Sequence, residues 1–280
     1  DLQLLAGYMD YHGVLGHEFV GVVETGRLAG QRVVGEINCP CGECSLCAGG
    51  LGNHCPKRSV LGILGRDGAF AQWLSLPEQN LHPVPDGLAD RVAVFTEPVA
   101  AALQVPAQIP INGDERVVVL GAGRLGNLCA QVLHQAGCRV TVVGKHAAKL
   151  QLLEELGIRT ILLEETQPGR DADLVVDATG SASGLPTALQ FVRPRGTIAL
   201  KTTIADQQTL SLAPVVIDEV TVVGSRCGPF DQALEALQSG KVDVTSLVSE
   251  TVSLAEVPRA LQRARADREL VKVVVEVSDR

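Results

Sequence analysis

Four cysteines, Cys41, Cys44, Cys47 and Cys55, follow one another at spacings of three, three and eight residues, with Gly42, Gly49, Gly50 and Gly52 between them. Four thiolates so close in sequence can close a tetrahedral Zn²⁺ site with no open position, and such a site stabilises a loop. The glycines let the backbone wrap tightly around one ion. An iron–sulfur cluster is the competing metal on ligand softness. Cys39 lies two residues upstream, and Pro40 and the regular spacing of the other four leave it outside the ladder. A second group of donors is dispersed. His17-Glu18 sits between apolar Val14-Leu15 and Phe19-Val20, and Glu97 stands in the apolar run Phe95–Ala102. A lone histidine in such a run is commonly a satisfied core residue. An adjacent carboxylate is costly to bury unless a metal or another charge compensates it. Glu97 also suits a helix N-terminus, since Pro98 fits a first helical position. One histidine, carboxylates and an open position would suit a catalytic zinc, a choice that spacing alone leaves open.

A third pattern is Gly121-Ala122-Gly123-Arg124-Leu125-Gly126, directly after the apolar run Val117–Leu120. Between a strand and a helix these glycines form a dinucleotide fingerprint, with the pyrophosphate on the helix N-terminus. The next strand ends in Val142-Val143-Gly144-Lys145-His146, with Lys149 one turn on. An acid at that end would take the ribose 2′-hydroxyl of NAD. None is present, Lys145 can neutralise a 2′-phosphate, and NADP is preferred over NAD.

The elements that must position these groups fall into two textures. The first hundred residues hold short β-like runs, Phe19–Glu24 and Arg32–Ile37 among them, separated by turn residues. After Pro98, strands alternate with helices. Strands are expected at Val117–Leu120, Arg139–Val143, Asp173–Ala178, Gly196–Leu200 and Glu219–Val223, and helices at Arg124–Ala136, Ala147–Leu156 and Phe230–Gln238. That alternation implies an α/β, doubly wound parallel sheet. Ser253-Leu-Ala-Glu256 is a capping-box pattern opening a last helix, and Val271–Val277 reads as a closing strand. The two regions are expected to pack closely, with the cleft between them as the default site.

Composition bounds the partners. The chain has 280 residues, a formal charge of −8, 46% hydrophobic residues and 29 glycines without a period, which excludes collagen-like and disordered classes. A net negative chain with no basic block is a poor nucleic-acid or anionic-membrane binder, and no uncharged stretch reaches spanning length. Clustered cysteines without a signal-peptide pattern point to metal ligation and a cytoplasmic home. Cys129, Cys138 and Cys227 read as small buried hydrophobes.

Taken together, Gly16-His17-Glu18, the cysteine ladder, Glu97-Pro98, the Gly121/Gly123/Gly126 turn and Val176-Asp177-Ala178-Thr179-Gly180 resemble the medium-chain dehydrogenase/reductase superfamily in its zinc-dependent alcohol dehydrogenase branch. The resemblance implies a Rossmann nucleotide-binding domain at 101–246 and a GroES-like, mainly β catalytic domain formed by 1–100 and 247–280. It implies one structural zinc on Cys41, Cys44, Cys47 and Cys55 and one catalytic zinc on His17 and Glu97, with Glu18 a direct or adjacent partner. Thr179 would join Gly121, Gly123, Arg124, Leu125, Gly126, Gly144, Lys145 and Lys149 in the cofactor site. The implied reaction carries hydride between a small-molecule alcohol, primary, secondary or polyol, and NADP, giving an aldehyde or ketone, in a homodimer or homotetramer. Asp1 resembles the Asp of the family's Cys-x-Thr/Ser-Asp motif, which would orient the histidine ligand. The motif's zinc-binding cysteine and proton-relay hydroxyl precede that Asp, so the chain is expected to be N-terminally incomplete and to turn over poorly. The alternative from another class is a catalytically impaired nucleotide-binding protein that keeps only the structural zinc.

Overall fold

The computed structural model describes residues 1–204 and 210–277. Two compact units emerge. One comprises Asp1–Glu97, Phe230–Ser239 and Val248–Arg280, and the other Pro98–Pro229 and Gly240–Leu247. Phe230–Ser239, which strand–helix alternation assigns to the central region, thus belongs with the two chain ends.

The first unit contains a three-stranded antiparallel sheet in the order β1 (Gly21–Val22), β2 (Arg32–Gly35), β3 (Leu81–Pro83). The β-like run at Phe19–Glu24 contributes a two-residue strand, in which Gly21 and Val22 pair with Val33 and Arg32, and Val23 then closes the turn through backbone bonds with Gly30 and Gln31 at 2.8 and 3.0 Å. A second short ladder pairs Asn38–Cys39 with Ser59–Val60. Ile37, Val60 and Leu61 form a small buried core against Phe19, Ile63, Leu64 and Leu76.

Helix α1 (Thr96–Gln108) starts two residues before Pro98, so the proline is its third residue and not its first. That position still lies among the N–H groups that have no intrahelical acceptor, so the missing donor costs nothing. The second unit carries six parallel strands with helices between them. In chain order these are β4 (Arg116–Leu120), α2 (Arg124–Gln135), β5 (Arg139–Gly144), α3 (Ala147–Glu154), β6 (Arg159–Leu162), β7 (Ala172–Asp177), α4 (Gly184–Phe191), β8 (Val192–Leu200), α5 (Ala213–Ile217) and β9 (Thr221–Gly224). The spatial order is β9-β8-β7-β4-β5-β6, all parallel. Strands buried on both faces read as near-continuous apolar runs, and Val117, Val119, Val142, Val175, Val176 and Ile198 are buried. The order reverses between β4 and β7. That is the topological switch point where such sheets bind ligands beyond their carboxyl ends.

The chain closes with α6 (Phe230–Gln238), β10 (Val248–Ser253), α7 (Val257–Ala266) and β11 (Lys272–Glu276), and β10 and β11 pair in parallel. The capping box forms: the Ser253 N–H and hydroxyl both donate to Glu256 Oε2, at 2.9 and 2.6 Å. Among the described residues, no helix is long and apolar enough to cross a membrane. Cys129 and Cys138 are buried as small apolar groups, whereas Cys227 is only half-buried, in the connection after β9.

Candidate functional site

The cysteine ladder folds into a cage. Sγ–Sγ separations are 3.4 Å for Cys44–Cys47, 3.5 Å for Cys41–Cys55, 3.8 Å for Cys44–Cys55 and 4.0 Å for Cys41–Cys47. Tetrahedral zinc with Zn–S bonds near 2.3 Å needs sulfurs about 3.8 Å apart, so the cage fits that ion. The Cys47 backbone N–H beside Cys44 and the Cys41 N–H beside Cys55 hold those two thiols below their ordinary range. Burial, with the Cys44 thiol next, pushes Cys47 up to about 11. A bound dication favours the thiolate at all four positions. Cys39 is buried outside the cage, and burial raises its thiol.

His17, Glu18 and Glu97 also come together: one donor atom from each lies within 4.8 Å of the others. Three segments cooperate. Gly16 has φ of +93°, and a Cβ there would stand 2.9 Å from the Phe70 ring, so glycine is required for the chain to turn into His17. Pairing of Leu15 and Gly16 carbonyls with the Phe70 and Ala69 N–H groups, at 2.9 and 2.8 Å, pins that turn. Helix α1 supplies Glu97 from its first turn, where Thr96 Oγ1 donates to the Ala93 carbonyl at 2.6 Å. Asp1 closes the other side of the histidine. Its Oδ1 accepts from the Gly16 N–H at 3.2 Å and lies 3.7 Å from His17 Nδ1. A carboxylate at Nδ1 favours the tautomer that leaves Nε2 as the ligand nitrogen. Nε2 is 4.0 Å from Glu18 Oε1.

A residue that the spacing arguments pass over completes this centre. Lys272 of β11 forms an ion pair with Glu18 Oε2, and its Nζ stands 4.9 Å over the Phe95 ring. The side chains are 6% and 9% exposed, so water screens this pair little. The available signal was a single lysine inside the valine run of the last strand, Val271-Lys272-Val273-Val274-Val275.

The glycine turn sits between β4 and α2, at the switch point. Gly121 has φ of +101°, and a Cβ there would lie 2.7 Å from the Ala178 carbonyl oxygen, so the turn tolerates no side chain. A Cβ on Gly126 would meet the Gly121 carbonyl oxygen at 1.9 Å, which makes this glycine a condition of close strand–helix packing. Gly123 caps α2 with no side-chain hydrogen bond, and a Cβ there would meet nothing within 4 Å. That leaves an open approach to the helix N-terminus, as an anion-binding cradle requires. Arg124 and Leu125 form the first turn of α2. Thr179 lies beside Gly121, with its hydroxyl and N–H donating to Asp177 Oδ1 at 2.8 and 3.0 Å. It shapes the turn after β7.

Lys145 is exposed immediately after β5, and Lys149 is half-buried in the first turn of α3. Gly144 is enclosed: a Cβ would stand 2.9 Å from Leu150 Cδ2 and 3.1 Å from Ala122 Cβ. Tyr11, near the histidine segment, is committed to the backbone, with its hydroxyl 3.0 Å from the Val14 and 2.8 Å from the Arg66 carbonyl oxygens.

Residues 1–86 match the alcohol dehydrogenase GroES-like domain, and residues 125–239 match the zinc-binding dehydrogenase domain. A sorbitol dehydrogenase of Halalkalibacterium halodurans is 31% identical over 284 residues, covering 93% of this chain and 82% of that protein. A protein of Sinorhizobium meliloti 1021 described as a zinc-binding dehydrogenase, solved bound to NADP, superposes with a TM-score of 0.85 at 27% identity, over 94% of this chain and 83% of its own. A short chain alcohol dehydrogenase of Escherichia coli CFT073, complexed with NADH, superposes with a TM-score of 0.86 at 26% identity, over 95% and 84%. With both domain types present in this order and a dehydrogenase relative matched along nearly the whole chain, the protein belongs to the zinc-dependent alcohol dehydrogenases of the medium-chain dehydrogenase/reductase superfamily.

Proposed function

We propose that the protein transfers hydride between a polyol or related alcohol and NADP, using one catalytic and one structural zinc. The observation that carries this reading is the convergence of His17, Glu18 and Glu97 within 4.8 Å. His17 and Glu97 would hold the catalytic ion, Asp1 would orient the imidazole, and Cys41, Cys44, Cys47 and Cys55 would hold the structural one. Zinc in the first of these sites supplies Lewis acidity toward the substrate's hydroxyl or carbonyl oxygen. The polyol class follows from likeness to the sorbitol dehydrogenase.

The Gly121–Gly126 turn would take the cofactor's pyrophosphate on the N–H groups opening α2. Solved neighbours carry NADP in one case and NADH in the other, so the preference rests on this chain's own residues. Lys145, just after β5, and Lys149, in the first turn of α3, would face the adenosine ribose, and Gly144 offers no carboxylate to repel a 2′-phosphate. For assembly, we favour a homodimer or homotetramer. Among the described residues β9 ends the six-stranded sheet, and Val216 and Ile217 of the preceding helix are 73% and 77% exposed. An unpaired edge beside apolar side chains suits pairing with a second copy. Free thiols clustered as metal ligands fit a reducing compartment such as the cytoplasm.

The test is metal analysis joined to cofactor kinetics with a panel of polyols and ketoses. Two zinc equivalents per chain and a higher kcat/KM with NADP(H) are expected. Gly144→Asp would crowd Leu150 and Ala122, so exposed Lys145 is the cleaner probe. Lys145→Glu should cut the preference for NADP(H) roughly tenfold, the loss of one charge-assisted contact. A single zinc equivalent, held by the ladder alone, would instead support a nucleotide-binding protein without this activity. An unchanged cofactor ratio in Lys145→Glu would remove the NADP assignment.

A further inference from the structure

The ion pair between Lys272 and Glu18 is buried at the heart of this centre, with side chains 6% and 9% exposed. It joins residues 254 apart in sequence and brings a buried cation beside the metal-ligating set. Glu18 divides its oxygens: Oε2 goes to Lys272, while Oε1 faces His17 Nε2 at 4.0 Å. Lys272 also lies over the ring of Phe95, which is fully buried and two residues from Glu97. A lysine is rarely buried unless paired, and here a carboxylate and an aromatic face enclose it.

Charge arithmetic gives the consequence. Glu18 and Glu97 together carry two negative charges, enough to cancel a dication and blunt its pull on a substrate oxygen. Lys272 returns one positive charge to the set and occupies one of the two Glu18 oxygens. We propose that Lys272 is a positioning residue that holds Glu18 partly withdrawn from the metal, so that a coordination position stays free for the substrate oxygen and the Glu18 charge is offset by a cation other than the metal. The inference rests on the catalytic-metal reading of His17, Glu18 and Glu97.

The experiment follows release of the second zinc equivalent from the full chain to a chromophoric chelator. It is joined to the visible spectrum of the Co²⁺-substituted protein, which reports coordination number. Lys272→Met frees Glu18 Oε2 for the metal, so release should slow by roughly tenfold, the scale of changes in groups that orient ligands. The cobalt bands should weaken toward a higher-coordinate pattern. In a Glu18→Gln background Lys272→Met should change neither, because the effect runs through that carboxylate. Lys272→Arg should restore the wild-type release rate. Release at the wild-type rate or faster in Lys272→Met, or slowing that persists with Glu18→Gln, overturns the proposal. If Lys272→Met does not fold, Glu18→Gln alone decides: a withdrawn carboxylate predicts wild-type release within about threefold, and full ligation predicts acceleration well beyond that. A wild-type chain with no second equivalent sensitive to His17→Ala defeats the metal reading itself. Two equivalents with no effect of Lys272→Met defeat only the present proposal.

Discussion

The two candidate metal centres are built on opposite plans. Cys41, Cys44, Cys47 and Cys55 come from one loop, and their sulfurs already stand at tetrahedral spacing. His17, Glu18 and Glu97 come from a glycine-turned segment and a helix start, and β11 adds Lys272 from the far end of the chain. A local cage can close a metal site completely. A site assembled from distant elements can leave one side open, because no single loop surrounds it. The first plan suits stability and the second chemistry. The same contrast recurs without metal. Glu115 is held by its own loop, whereas His82 is held by two acids from separate elements.

The sharpest way to break this comparison is to remove one ligand from each centre. If His17 holds the catalytic ion as proposed, His17→Ala should lose one zinc equivalent and at least about a hundredfold in kcat/KM, since it would delete a ligand and not merely the group that orients one, with little change in thermal midpoint. Cys44→Ser should lose the other equivalent and lower Tm by roughly 10 °C. Zinc content, Tm and kinetics on the two proteins decide the matter. If Cys44→Ser abolishes turnover at unchanged Tm, or His17→Ala unfolds the chain, the division of labour between the centres is wrong.

The same contrast governs what could be read in advance. The ladder was legible because its whole geometry is written in spacings of three, three and eight. The six-stranded sheet was legible because parallel strands buried on both faces must be apolar runs, as at Val117–Leu120 and Val142–Val143. Strand β6 and helix α4 give no such signal. The β6 residues are exposed or half-buried in Arg159–Leu162, and α4 carries a proline within its first turn, so neither gives a clean period. At the dispersed centre, His17, Glu18 and Glu97 could be picked out as polar groups in apolar runs, but nothing along the chain says that they meet. Lys272 carries the same signal, but its partner lies 254 residues away. Tertiary pairing of charges has no period to read.

Glu115 tests the local plan on a smaller scale. Burial acts to raise its carboxyl. The N–H groups of Asn112, Glu115 itself, Gly113 and Asp114 outweigh burial and hold it at about 2, against an ordinary 4.5. A carboxylate depressed on folding contributes stability that is present above the unfolded value and lost as pH falls toward the folded one. Glu115→Gln should therefore lower Tm by a few degrees near neutral pH, with the difference closing between pH 4.5 and 2. A constant difference across that window would mean that the side chain acts through shape and not charge.

His82 tests the assembled plan and titrates in the opposite sense. Its Nε2 lies 3.0 Å from Glu36 Oε1 and its Nδ1 2.8 Å from Asp231 Oδ1 on α6, with the Phe230 ring centroid 5.2 Å away. Hydrogen bonding to Glu36 comes first in raising its pKa above the ordinary 6.5, burial opposes it, and Asp231 adds to the rise. A histidine raised on folding contributes stability that is complete below its unfolded value and is lost as pH climbs through the folded one. The protonated ring donates from both nitrogens, one to each acid, and so ties α6 to β3. His82→Gln keeps polar atoms but removes the charge. The Tm gap between wild type and variant should be largest below pH 6.5 and shrink as pH rises above it, amounting to a few degrees at most for a partly exposed pair. Asp231 is largely exposed and Glu36 is not, so Asp231→Asn should reproduce only a fraction of the gap and Glu36→Gln most of it. Equal effects of the two acids would mean that exposure does not set their contributions, and a gap that widens with pH would mean that the ring is held neutral.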